Sequence, residues 1–182
     1  MSGFDLTHTF SGSFIYELPF GKGRSFNPSN RVIRYLADGW QLNAIGILHS
    51  GTPYDVIYQG DLANTGNTFV RANLVGDPTP GHRTTAVWIN TSAFAIPLPH
   101  TFGDLGRNSL RSDWYRNLDC SLFRRFPMGD RLQLEFRAEA FNATNSVVFA
   151  VPANVINAAG FGVVTSTANT PRQLQLALKL AF

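Results

Sequence analysis

Residues 172 to 182 read RQLQLALKLAF, in which Leu174, Leu176, Leu178, Leu180 and Phe182 alternate without exception with Gln173, Gln175, Ala177, Lys179 and Ala181. Successive side chains of a strand point to opposite faces, so a period of two predicts a strand with one apolar and one polar face. A tilted membrane-spanning strand needs about 9 to 11 residues, and this run has that length. A soluble sandwich carries the same alternation, so the rest of the chain has to decide between the two.

Working back from that strand, residues 131 to 141 repeat the arrangement. Leu132, Leu134, Phe136, Ala138 and Ala140 form one row, and Gln133, Glu135, Arg137 and Glu139 form the other. Upstream, Leu118, Cys120 and Leu122 alternate with Asn117, Asp119 and Ser121, and the run Pro127, Met128, Gly129, Asp130 supplies turn chemistry for a hairpin. Phe10, Gly12, Phe14, Tyr16 and Leu18 alternate with Ser11, Ser13, Ile15 and Glu17. A further strand from Trp40 toward Pro53 is blurred by Ile45 and Ile47. Between these two, Ser29 or Asn30 caps a short helix over Arg31 to Ala37, which ends near Gly39 and is expected only to plug a turn. The expectation is an all-β antiparallel meander, with strands near 8–19, 40–54, 114–126, 131–145 and 172–182.

Two long connections remain, roughly 56–112 and 146–170, and they alternate with short ones. All long connections then fall at one end of the strands, an asymmetry of outer-membrane barrels, whose periplasmic turns are short and extracellular loops long. Five strands leave two open edges. Residues 1–182 are therefore expected to be a single incomplete domain, the carboxy-terminal portion of a barrel with its other strands upstream of Met1. The stretch from Met1 to Leu6 has no basic region leading into an apolar core, so no secretory signal is read there.

Composition agrees with a turn-rich β protein. Charged residues are 15%, aromatics 13% with 15 Phe, and there are 16 Gly and 10 Pro. The net charge of +3 comes from scattered basic residues and the lone pair Arg124 and Arg125, so no nucleic-acid partner is expected. No run of 18 apolar residues exists, which leaves only a barrel to span a bilayer. Cys120, the one cysteine, has no partner for an internal disulfide.

Sites of chemistry are sparse. His8, His49, His82 and His100 lack metal-ligand spacing. Glu135 and Glu139 share a strand face and suggest a glycosidase acid pair, but Arg137 between them makes a salt-bridged row the simpler reading. Asp61, Asn64, Asn67 and Asp77 lie in a Gly-rich stretch without EF-hand spacing. The glycines of FGDLGRN, residues 102–108, lack phosphate-loop spacing and are read as turn glycines. Asn90 and Asn142 head N-x-S/T sequons, which carry no glycosylation implication in a bacterial barrel. Trp88, Phe94 and Phe102, followed by Trp114 and Tyr115, either pack a small loop core or offer faces to a ligand. No catalytic residue, metal or cofactor is assigned, and the chain is not expected to be an enzyme.

Several strings carry a resemblance: YELPFGKG at 16–23, GWQL at 39–42, SGTPY at 50–54, FGDLGRN at 102–108 and LQLEFRAEAFNATN at 132–145. In this order they resemble the barrel of TonB-dependent receptors, of the Oar-like kind with a carboxypeptidase-regulatory-like domain at the amino end. The sequence departs from that pattern at 141–147, where FNATN and then Ser-Val stand in place of a phrase like FNLFN followed by His-Pro.

The resemblance implies a barrel of about 22 strands in the bacterial outer membrane, serving energy-coupled uptake as a receptor and transporter. The partners would be the lipid bilayer, the barrel-assembly machinery, an extracellular ligand, and TonB through an amino-terminal plug and box absent from these residues. It also implies an insertion signal in Leu176, Leu178, Leu180 and Phe182. Glu135, Arg137, Glu139 and Lys179 would face the lumen, and parity puts Lys179 opposite Gln133 or Glu135. The rival readings are a soluble β-sandwich that binds carbohydrate, whose apolar rows would converge on a closed interior, and a smaller outer-membrane enzyme, which would need a catalytic cluster at one rim.

Overall fold

The structure, a computed structural model, describes residues 2–21, 23–129 and 132–182. Lys22 of the YELPFGKG string, and Asp130 and Arg131 at the expected turn and strand start, lie outside the described residues. In chain order the elements are β1 (Thr9–Glu17), α1 (Arg31–Ala37), β2 (Trp40–His49), β3 (Pro53–Tyr54), β4 (Ile57–Gln59), β5 (Phe69–Arg71), β6 (Asn73–Leu74), β7 (Phe94–Ala95), β8 (Leu110–Arg111), β9 (Tyr115–Met128), β10 (Leu132–Phe141) and β11 (Gln173–Ala181). The chain divides into two compact units. One is a sheet unit of Phe10–Leu48, Arg116–Ser146 and Thr170–Phe182. The other is a loop unit made of the chain up to Thr9, His49–Tyr115 and Val147–Asn169.

In the sheet unit the five long strands lie in the order β1-β2-β9-β10-β11, a meander. The strand pairs β9–β10 and β10–β11 are antiparallel, and the register sets Lys179 opposite Glu135, Leu178 opposite Phe136 and Leu176 opposite Ala138. Period-two alternation in both strands fixes this register, because a slip of one residue would mix the rows. Cys120 is a free thiol on this sheet.

Strand bounds differ from the expected ones by more than a residue at four places, the first being the end of β1 at Glu17 and not 19. The second strand stops at His49 and not near 54, since Gly51 lies where a Cβ would come within 2.0 Å of the Ser112 carbonyl oxygen, and Pro53–Tyr54 leaves to pair with β8. The third runs on to Met128. The fourth stops at Phe141 and not 145, because Asn142 and Asn145 take φ of 47° and 50°, a left-handed conformation that a strand cannot continue through.

The asparagines of FNATN do more than turn the chain. Asn142 is buried; its backbone N–H donates to Asp119 and its side-chain amide donates to the carbonyls of Ser146 and Thr170. Asn145 Oδ1 accepts from the Arg172 N–H. These bonds tie the end of β10 to the start of β11. Helix α1 is capped by Asn30, whose side chain accepts from the N–H groups of Val32 and Ile33, and Gly39 follows its end with φ of 77°.

The two long connections are not open loops. In the loop unit they form three short strand pairs, β3–β8, β4–β5 and β6–β7, around a core of Tyr54, Val56, Ala72, Trp88, Ile89, Ala93, Phe94, Leu105 and Val164, with Phe149, Ile156 and Phe161 packed on it. The FGDLGRN string is its clasp. Leu105 is buried, Arg71 Nε donates to its carbonyl, and Asp104 accepts from the Leu74 N–H. Gly103 is a close-approach glycine and not a turn glycine: a Cβ there would lie 1.9 Å from the Arg71 carbonyl oxygen.

Candidate functional site

Alternation gives the sheet unit two chemically opposite faces, and each holds a cluster. On the polar face, Glu135 accepts from Arg125 Nε at 2.9 Å and from an Arg137 terminal nitrogen at 2.8 Å. Arg137 also reaches Glu139 at 3.6 Å. The guanidinium groups of Arg125 and Arg137 stand 5.8 Å and 5.9 Å from the Phe123 ring. Beside this ladder, Gln175, Ala177 and Lys179 complete a groove of about 250 Å³. The four residues expected to share one polar face are therefore together, with Lys179 directly across from Glu135. Arg137 engages both carboxylates of the pair considered for acid–base chemistry.

The other face carries Leu174, Leu176, Leu178 and Leu180, exposed by 74%, 74%, 70% and 55%. These rows do not converge on a closed interior, which removes the β-sandwich expectation. Phe182, beyond the last strand pairing, is exposed as well.

Arg124 interrupts this apolar face. It pairs across with Phe136, in the row that also holds Leu122 opposite Ala138, yet it is only 3% exposed. Its terminal nitrogens donate to the carbonyls of Tyr35 and Leu36 at the end of α1, and its guanidinium lies 4.1 Å from the Phe126 ring centroid and 5.3 Å from that of Tyr35. Trp40 Nε1 donates to the same Leu36 carbonyl at 2.9 Å. Helix α1 thus does more than plug a turn. Sequence reading missed Arg124, although its signal was present: it occupies the position where the row Leu118, Cys120, Leu122 requires an apolar residue before Phe126.

The loop aromatics separate. Trp88 and Phe94, read as candidates for ligand stacking, are buried: Trp88 meets Phe149 edge-on at 5.1 Å with Arg83 over its ring, and Phe94 meets Phe161 at 6.0 Å. Neither ring offers a face to a ligand, because the loop unit consumes both in its own core. Phe102 is exposed by 67%. A polar cavity of about 430 Å³ lies in the same unit, lined by Tyr54, Arg83, Ser109, Arg111, Asp113 and Trp114. Arg111 bonds Asp5 and holds that carboxyl below the usual range, whereas burial pushes the Tyr54 hydroxyl up to about 12.

The stretch weighed for calcium is locally satisfied: Asp61 accepts from the N–H groups of Thr65 and Gly66, and Asp77 from that of Thr79. Among the described residues no three His, Cys, Asp or Glu side chains are grouped to hold a metal ion. His8 stacks on Trp114 and His49 on Tyr115.

A five-stranded meander with one apolar face open to its surroundings and a charged opposite face is the wall of a membrane barrel. The chain matches the outer membrane beta barrel domain over residues 1–175 and belongs to that family. It is a bacterial outer-membrane protein. No curated protein and no solved structure matches it.

Proposed function

We propose that these residues are the carboxy-terminal barrel segment of a TonB-dependent receptor of the Oar-like type, which binds a substrate at the cell surface and takes it up with energy delivered through TonB. The observation that carries this reading is where the strings of the resemblance fall. GWQL opens β2, SGTPY supplies Gly51 and the β3 strand, FGDLGRN is the loop clasp, and LQLEFRAEAFNATN is β10 with its asparagine ties. Each of these four strings occupies a position where its residue types are needed, which supports reading them as a set.

In this arrangement the apolar rows face lipid and the Glu135, Arg137, Glu139 and Lys179 row faces the lumen. The loop unit lies outside the cell and meets the ligand, for which the polar cavity beside Arg83 and Trp114 is the chosen contact. Leu176, Leu178, Leu180 and Phe182 form the insertion signal read by the barrel-assembly machinery. The free edges of β1 and β11 pair with further strands of the same barrel, and the role is transport, not catalysis.

The test is capture of the full-length protein, extracted from native membranes in detergent, by the immobilised periplasmic domain of TonB. Retention that an excess of free TonB domain reverses is expected. A protein that inserts as a barrel yet shows no such retention ends the receptor reading.

A further inference from the structure

The connection between β1 and β2 has a feature that transport does not use. Helix α1 leaves Val32, Ile33 and Leu36 exposed by 65%, 55% and 56%. Leu36 is four residues after Val32 and three after Ile33, spacings that put it beside both on one apolar stripe, and Arg31 and Arg34 lie off it. Its far end is fastened to the strands: the carbonyls of Tyr35 and Leu36, which a helix terminus leaves without intrahelical partners and at its negative pole, take the Arg124 guanidinium. Arg124 stands in the apolar row, opposite Phe136, whose ring meets Trp40 edge-on at 5.8 Å. Helix α1 is therefore pinned on the apolar side of the sheet, at the end where β9 turns into β10. Phe26, in the same connection, is also exposed, edge-on to Phe20.

We infer that α1 is an interfacial anchor seated on anionic phospholipids of the periplasmic leaflet. Its stripe of Val32, Ile33 and Leu36 enters the acyl boundary, and Arg31 and Arg34 lie at the phosphates. Two observations choose lipid as the occupant: the helix is fastened to the apolar sheet face through Arg124 and the Tyr35–Phe126 ring contact, and the charges within it, Arg31 and Arg34, are cations suited to phosphate, with the one acid, Asp38, at its capped end. An amphipathic helix of this character lies in the plane of the interface with its apolar side about 5–10 Å deep. Arg124 serves as the link: its terminal nitrogens bond the helix carbonyls and its plane lies over aromatic rings, where the row would otherwise present a bare charge to lipid. The inference rests on the reading above that the apolar rows face lipid and the short connections the periplasm.

The test uses the full-length protein with Cys120→Ala and single cysteines, Val32→Cys, Leu176→Cys or Gly81→Cys, each labelled with an environment-sensitive fluorophore. Gly81 is the aqueous reference, since a side chain there meets open space. The protein is reconstituted in vesicles of phosphatidylethanolamine and phosphatidylglycerol, and quenching by spin-labelled lipid is compared with quenching by iodide. The expected result is lipid quenching at both 32 and 176, with iodide quenching several-fold weaker than at 81. Exchange of phosphatidylglycerol for phosphatidylcholine is expected to lower lipid quenching at 32 and not at 176; equal values overturn the headgroup assignment. Iodide quenching at 32 equal to that at 81 overturns the anchor, and so does shielding from both quenchers, which means that protein covers α1. Loss of lipid quenching at 176 overturns the lipid-facing reading of the sheet, and the anchor with it.

Discussion

The sheet unit and the loop unit solve opposite problems with similar residues. In the loop unit Trp88, Ile89, Phe94 and Leu105 turn inward and are nearly inaccessible, whereas in the sheet unit Leu174, Leu176 and Leu178 turn outward and stay more than two-thirds exposed. Water drives apolar surface inward. A strand wall whose outer medium is hydrocarbon has no such drive, and its alternating pattern puts the leucines where the lipid is. The same chain thus records two solvents, and the chain passes between the units near residues 9, 49, 115, 146 and 170.

Substitutions should separate the two units, and Trp88→Ala has the largest expected effect. Loss of a buried tryptophan removes about 3–5 kcal/mol, so the loops of the variant become protease-sensitive on intact cells while its heat-modifiable gel mobility, a property of the barrel, stays as in the parent. Equal loss of both would show that the units are one cooperative body.

Leu176→Arg reverses the target. A cation on the lipid face near mid-bilayer costs about 2–4 kcal/mol, read as a shift in urea-dependent folding into vesicles, while Ala177→Arg on the charged face changes it by less than about 1 kcal/mol. If the two variants behave alike, the faces are not in different media. Gly103→Ala comes next: its Cβ is forced against the Arg71 carbonyl, an overpacking cost of about 1–3 kcal/mol expected in loop protease resistance alone.

The smallest effect is a pH dependence confined to the loop unit. Burial raises Tyr54 to about 12 in the fold, whereas an unfolded tyrosine ionises near 10. Loop stability is therefore unaffected below pH 10 and falls as pH rises toward 12, because the unfolded chain then gives up a proton the folded one keeps. Ultraviolet titration of tyrosinate, with Tyr54→Phe as the reference, checks this; absorbance from Tyr54 appearing near pH 10 would place it in water.

What was legible in the sequence followed from local pattern. Strands with a strict period of two were found because the pattern depends on residues a few positions apart, and the same local pattern narrowed the partner of Lys179 to Gln133 or Glu135 and the helix cap to Ser29 or Asn30. The loop unit was legible only as long connections. Its strands are two or three residues long, too short for a period to register, and its core joins Val56, Trp88 and Val164 across a hundred positions. Likewise Gly103 and Gly51 owe their identity to a carbonyl brought close by the fold, which no neighbouring residue announces. In the candidate site, the charged ladder was readable from spacing; the break that Arg124 makes in its apolar row was readable too, but not its partners, since the carbonyls of Tyr35 and Leu36 that accept it lie nearly ninety residues earlier.

The short pair β3–β8 has a consequence for how the barrel is assembled. Joining Pro53 to Arg111 and Tyr54 to Leu110 pinches the long connection at its base, so the chain leaving β2 is handed back to β9 after only a few residues on either side. Closing a flexible link of some 65 residues, in place of one of about four, costs roughly four doublings of length, or about 2 kcal/mol of chain entropy. Once the pinch has formed, that cost is already met within the loops. β9 can then zip onto β2 as if the connection between them were a hairpin.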